Sequence, residues 1–149
     1  DEKLYLLEFV DRRGFEREVE RLRIRTKSAI IPGMTPIIES IEHEIKDYFD
    51  GKLTQFQTPL FLLGSDFQQR VWKALMEIPY GTTCSYLDLA IAINHPTAFR
   101  AVANANGRNQ LAIIIPCHRV INTNGNIGGY GGGVARKEWM IEHELRVIR

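Results

Sequence analysis

The chain has 149 residues, 44% hydrophobic and 25% charged, with a formal net charge of +1, an ordinary globular composition with chain enough for one sizeable core or two small ones. No apolar run approaches the length of a membrane span and no signal peptide is visible, so the composition gives no support to a membrane-embedded protein. Residues 1–66 carry 13 acids against 10 bases and residues 67–149 carry 5 against 9, which directs any nucleic-acid contact to the second part and keeps its electrostatic share modest.

Leu4 to Val10 reads as a strand ended by the turn-prone Asp11-Arg12-Arg13-Gly14, and Phe15 to Arg25 as a helix with Phe15, Val19 and Leu22 on its apolar side. After the loop Ile30-Ile31-Pro32-Gly33, Pro36 begins a helix carrying Ile37, Ile41, Ile45 and Phe49, and Gly51 ends it. A short strand is expected near Phe56 to Leu63. Gly64 and Ser65 mark the domain boundary, giving an α/β N-terminal domain over 1–63 and a mostly helical C-terminal domain over 64–149.

The second domain opens with capping-box spacing at Ser65-Asp66-Phe67-Gln68-Gln69 and a stripe of Phe67, Val71, Ala74, Leu75 and Ile78, which Pro79-Tyr80-Gly81 stops. Ser85, with Asp88 three residues on, caps a helix through Leu87, Ala90 and Ile91, and Asn94-His95-Pro96 turns the chain into another from Thr97 to Asn106. Two short helices joined by a tight turn form the helix-turn-helix arrangement, with the second helix placed to read DNA. In that helix Ala98, Ala101 and Ala105 are expected on one face and Phe99 and Val102 toward the core, leaving Arg100 beside a row of methyl groups. Such a face suits close approach to a sugar-phosphate backbone, and it equally suits a surface helix of high alanine propensity.

The apolar run Leu111 to Ile115 reads as a buried strand that breaks at Pro116, directly before Cys117-His118-Arg119-Val120. A thiol of pKa about 8.5 is only slightly ionised at neutral pH, and the thiolate is the attacking species, so an adjacent imidazole is the group a nucleophilic cysteine needs. Neighbouring strand residues point to opposite faces, however, so direct contact requires a turn here. A cysteine that only packs is the bland alternative. Asn122 to Gly133 holds six glycines, and its backbone can approach a ligand and present N–H groups. It lacks the Lys-Ser/Thr ending of a phosphate loop. A last helix, Ala135 to Leu145, carries Trp139 and Met140 for packing and Glu144 near its end. With two cysteines, Cys84 and Cys117, no Cys-x-x-Cys and four scattered histidines, free thiols in a reducing compartment are expected and no zinc site or other metal site.

Ile115-Pro116-Cys117-His118-Arg119-Val120, with Gly129-Tyr130-x-Gly-Gly and Lys137-Glu138-Trp139 after it, resembles the O6-alkylguanine-DNA alkyltransferases. The resemblance extends back through Phe67-x-x-x-Val71-Trp72, Ile78-Pro79-Tyr80-Gly81, Ser85-Tyr86, Arg100-Ala101-Val102 and Asn109, covering residues 64–145, and Asn109-Gln110-Leu111-Ala112 is closer to the bacterial adaptive-response type. It implies a ribonuclease-H-like N-terminal domain and a helix-turn-helix (winged-helix-like) C-terminal domain. It also implies irreversible, one-use transfer of an alkyl group from guanine O6 to Cys117 after base flipping.

By the same resemblance His118 is the base, acting through a water, Glu144 polarises the imidazole, Asn109 braces the turn bearing the cysteine, and Tyr86 assists departure of the guanine. Arg100 is the finger that replaces the flipped nucleotide through the minor groove, with Ser85 and Ala101 beside the DNA and Val120, Tyr130 and Gly131 lining the base pocket. Gly131 stands where a serine is frequent, and the metal-binding residues some members carry near the N-terminus are absent. The partner implied is double-stranded DNA containing O6-alkylguanine, with no cofactor, no membrane, a monomeric state and a cytoplasmic location, nuclear in a eukaryote. The Asp1 start is compatible with the alkyltransferase part of a larger regulator. Two other readings stay open: a cysteine hydrolase, from the inventory Cys117, His118, Glu144 and Asn109, and a non-catalytic sensor of alkylated DNA.

Overall fold

The computed structural model describes residues 2–149. Six α-helices and a two-stranded sheet follow the order α1 (Phe15–Thr26), α2 (Pro36–Phe49), α3 (Asp66–Met76), β1 (Cys84–Ser85), α4 (Tyr86–Ala92), α5 (Phe99–Gly107), β2 (Val120–Ile121) and α6 (Val134–Ile148), with a 3-10 turn at Cys117–Arg119 before β2. Among these residues no helix is long and apolar enough to cross a membrane.

Local chemistry sets most helix starts. The Thr35 hydroxyl accepts from Ile38 N at the head of α2, with Pro36 at its first position. Complete capping boxes open α3 and α4, where Ser65 pairs with Gln68 and Ser85 with Asp88. The stripe of α3 is buried as expected at Val71 and Leu75. In α2 the buried face is Ile41, Glu44 and Tyr48, while Phe49, expected inside, is 39% exposed. The face turns because Glu44 has partners inside: its carboxylate accepts from the Gln57 and Thr58 amides at 2.7 and 2.9 Å. In α5 Val102 and Ala105 are buried and Phe99 is 54% exposed, so Ala105 leaves the expected small-residue face and Phe99 leaves the core.

Two expected strands are absent as ladders. Leu4 makes one parallel bridge to Leu60 and Leu7 one to Leu111, through Leu4 N to Pro59 O and Leu7 N to Gln110 O. No sheet of the ribonuclease-H kind is formed among the described residues: 4–7 is an extended segment bridged once on each side. The mixed helical architecture with one small sheet is otherwise as read from residue 64 onward.

The apolar run 111–115 is not a strand either. After the bridge at Leu111 the chain turns, with Ile114 N donating to Ala112 O at 2.8 Å and Ile115 N to Leu111 O at 3.0 Å. Ile113 sits at a left-handed φ of 73°, an unfavourable conformation for a β-branched residue. All of 111–120 is buried nonetheless, so apolarity here reports depth and not strand geometry.

One core unites both parts: Leu4 and Ile41 share a cluster with Val71, Trp72, Leu75, Leu89, Val102, Ile115, Cys117 and Val120. Trp72 Nε1 donates to Ala105 O at 2.9 Å, fastening α3 to the end of α5. The parallel pair β1–β2, with Cys84 opposite Val120 and Ser85 opposite Ile121, ties the start of α4 to the chain just after Cys117. Tyr86 is thereby held beside the cysteine turn across more than thirty residues of sequence.

Candidate active site

Pro116 precedes a 3-10 turn in which Cys117, His118 and Arg119 are all buried. This turn frees the thiol and the imidazole from the opposite-face geometry of a strand. Asn109 holds it: its Nδ2 donates to Ile115 O at 2.9 Å and lies 3.2 Å from Cys117 Sγ, and its Oδ1 accepts from Leu111 N at 2.9 Å. A 2%-exposed asparagine thus replaces the ladder that the apolar run does not make.

Cys117 opens onto a cavity of about 170 Å³ that Tyr86, Asn106, Tyr130 and Gly131 also line. Burial pushes the thiol pKa up and the Asn109 hydrogen bond opposes it, so the resting thiol is protonated and a base is required. Tyr86 is raised by burial and by a negative charge on Cys117, against a hydrogen bond from Asn106. The Tyr130 hydroxyl is raised by burial and has no hydrogen-bond partner.

On the other side of the turn, His118 Nε2 lies 2.6 Å from Glu144 Oε2. An ionised carboxylate only accepts, so Nε2 carries the proton and Nδ1 carries the lone pair. Nδ1 is buried and has no partner. Burial pushes the imidazole pKa below its ordinary 6.5, outweighing the upward pull of Glu144. The ring is therefore neutral at pH 7 and holds a free basic nitrogen.

Burial alone would raise Glu144, but His118 and Arg119 hold it down to about 2. Arg119 donates through Nε at 2.8 Å and Nη2 at 3.2 Å, Tyr48 Oη at 2.7 Å and Gly81 N at 3.2 Å. Sequence reasoning missed Tyr48 and Arg119 as partners of this carboxylate. Arg119 lies inside the motif itself, whereas Tyr48 carries no local signal, because only the packing of α2 brings it to α6. Lys137, fully buried, donates to Gly129 O at 3.1 Å and orders the glycine-rich loop.

The structure brings Cys117, Asn109, Tyr86, Tyr130 and Gly131 to one cavity, with His118 and Glu144 directly behind the cysteine turn. Val120 is fully buried in β2. Arg100 and Ala101 are exposed on the first turn of α5 and do not line the cavity; Ser85 caps α4 through Asp88 N at 3.0 Å. Cys84, with its thiol pushed up to about 11 by burial and by Asp88, is inert by the same chemistry.

Residues 66–146 match the family described as 6-O-methylguanine DNA methyltransferase, DNA binding domain. A methylated-DNA–protein-cysteine methyltransferase of Mycobacterium tuberculosis is 55% identical over 101 residues, 68% of this chain and 61% of the relative. A relative of the same description from Methanosarcina barkeri is 49% identical over 106 residues, 71% of this chain and 67% of its own length. The chain thus spans about three-fifths of the mycobacterial protein. The crystal structure of Mycobacterium tuberculosis OGT in complex with DNA superposes with a TM-score of 0.82 at 42% identity, over 98% of this chain and 83% of the other.

Proposed function

Because the chain belongs to the 6-O-methylguanine DNA methyltransferase family, we propose that it repairs DNA directly by moving an alkyl group from guanine O6 to its own Cys117. Residues 64–149 act as the DNA-binding and acceptor domain and residues 1–63 as the N-terminal domain. The observation that carries the reading is a buried thiol on a small cavity with a neutral, carboxylate-oriented histidine next in the chain.

The chemistry follows from those groups. His118 Nδ1 takes the thiol proton through a bridging water, and Glu144 stabilises the imidazolium that forms. The Cys117 sulfur attacks the O-alkyl carbon; the S–C bond forms as the C–O6 bond breaks, and the electron pair leaves with the guanine. Tyr86 donates its phenolic proton to the ring as that charge develops. The product thioether is a stable bond, so each molecule acts once.

A carbon inside a duplex cannot be approached in line, so the base must leave the stack. The helix-turn-helix pair α4 and α5 supports minor-groove binding, with Arg100 exposed at the head of α5 to fill the vacated space, Ser85 and Ala101 beside it, and Tyr130, Gly131 and the backbone of Val120 around the flipped base.

Intact-mass analysis after mixing with an O6-methylguanine duplex tests this. One added methyl group mapped to Cys117, in stoichiometric and not catalytic amount, is the expected result. Steady turnover of an ester or amide would instead favour a hydrolase, and binding to the damaged duplex without mass gain a sensor.

A further inference from the structure

We propose that Arg12, which lies outside the family-matched segment, is a specificity-determining wall of the acceptor cavity, its guanidinium filling the space that a side chain at position 131 would take. The proposal rests on the alkyl-transfer reading and adds a residue of the N-terminal part to that site.

Arg12 lines the cavity together with Cys117 and Gly131. A Cβ built on Gly131 would stand 2.6 Å from Arg12 Cζ, 2.7 Å from Nε and 2.8 Å from Nη2. Gly131 is not among the glycines with positive φ, so its backbone makes no demand for glycine and the guanidinium is what excludes a side chain there. A side chain at position 131 and an arginine in this pose are mutually exclusive.

A flexible arginine would step aside, but this one is pinned. It donates to Gly107 O at 2.7 Å and to Asn109 O at 3.3 Å, is ion-paired with Glu8, and has Glu18 at 3.6 Å. The Glu8 side chain is 1% exposed and also accepts from Phe9 N at 3.0 Å, so the anchor itself is held. A rigid planar cation therefore bounds the cavity. Substituents larger than methyl must displace it against four contacts, and the pocket discriminates by size.

The test compares Cys117 alkylation rates with an O6-methylguanine duplex and with free O6-benzylguanine in wild type, Arg12→Ala, Gly131→Ala and the double variant. Arg12→Ala should raise the benzyl-to-methyl rate ratio about tenfold. Gly131→Ala, whose Cβ forces the guanidinium out of this pose, should likewise raise the ratio in wild type and have no effect once Arg12 is gone. An unchanged ratio, or additive effects of the two substitutions, overturns the proposal; should Arg12→Ala fail to fold, Arg12→Met is read in its place. Labelling of Cys117 separates this outcome from failure of the functional reading: the rate ratio of the bulkier N-ethylmaleimide to iodoacetamide, in which the effect of the Arg12 charge on the thiol cancels, should rise in Arg12→Ala even if the wild type accepts no methyl group.

Discussion

Tyr48 Oη donates to Glu144 Oε2 at 2.7 Å, joining α2 to α6 across 96 positions of sequence at the carboxylate that also receives His118. That oxygen is shared by a phenol, an imidazole and the Arg119 guanidinium, so the orientation of the proposed base depends in part on a helix outside the matched family segment. An unpaired buried carboxylate would be costly, and here five donors converge on it.

Cys117→Ser should abolish methyl acceptance while leaving binding to O6-methylguanine duplex within about twofold, since the hydroxyl is a far weaker nucleophile at the same place. Mass spectrometry and a gel-shift titration check the two halves; retained transfer would refute the acceptor assignment.

Arg100→Ala should slow repair in duplex DNA by on the order of 10- to 100-fold, the equivalent of the few kcal/mol that unstacking costs. Reaction with free O6-benzylguanine needs no flipping and should be nearly unaffected. Equal losses on both substrates would remove Arg100 from the flipping step.

Asn109→Ala should lower thermal stability by about 2–3 kcal/mol, because it strips the Ile115 carbonyl and the Leu111 amide of their partner inside a buried turn. Calorimetry measures the loss. Transfer should fall further than stability alone explains, as the turn that aims Sγ loosens.

Stability should fall in acid, and the sign follows from two depressed groups. His118 is held below 6.5, so its contribution is present above that pH and lost below it; Glu144 is held at about 2 against 4.5, so its contribution is lost as pH falls from 4.5 toward 2. Glu18 opposes them at higher pH: burial and the nearby Glu8 raise it to about 7, so its contribution is present below 4.5 and lost as pH rises through 7. Melting temperature against pH should therefore drop steeply below 4.5, while between 4.5 and 7 His118 and Glu18 pull it in opposite directions. Glu144→Gln should flatten the steep limb and lower the plateau by about 3–5 kcal/mol; an unchanged acid limb would show that Glu144 is not its source.

Much of the site was legible in the sequence because its chemistry is contiguous. Cys117 and His118 are neighbours, Pro116 announces the break, Ser85 and Asp88 cap α4 as their spacing requires, and Asn109 stands eight residues before the thiol it touches. Capping and helical periodicity depend on residues three or four apart, which is why α3 and α4 appear where composition places them. The motif spacing likewise marks the family and singles out the cysteine proposed as acceptor.

Where distant segments meet was decided only by the tertiary structure. The run 111–115 is apolar enough for a strand, yet Asn109 folds it into a turn and Ile113 takes a left-handed φ. Tyr48 reaches Glu144, and Arg12 explains a glycine 119 positions away. Short-range patterns specify which surfaces are apolar and where helices begin. They carry no information about which buried polar group will find which partner, because that is set by the packing of α2 and the N-terminal segment against the cysteine turn.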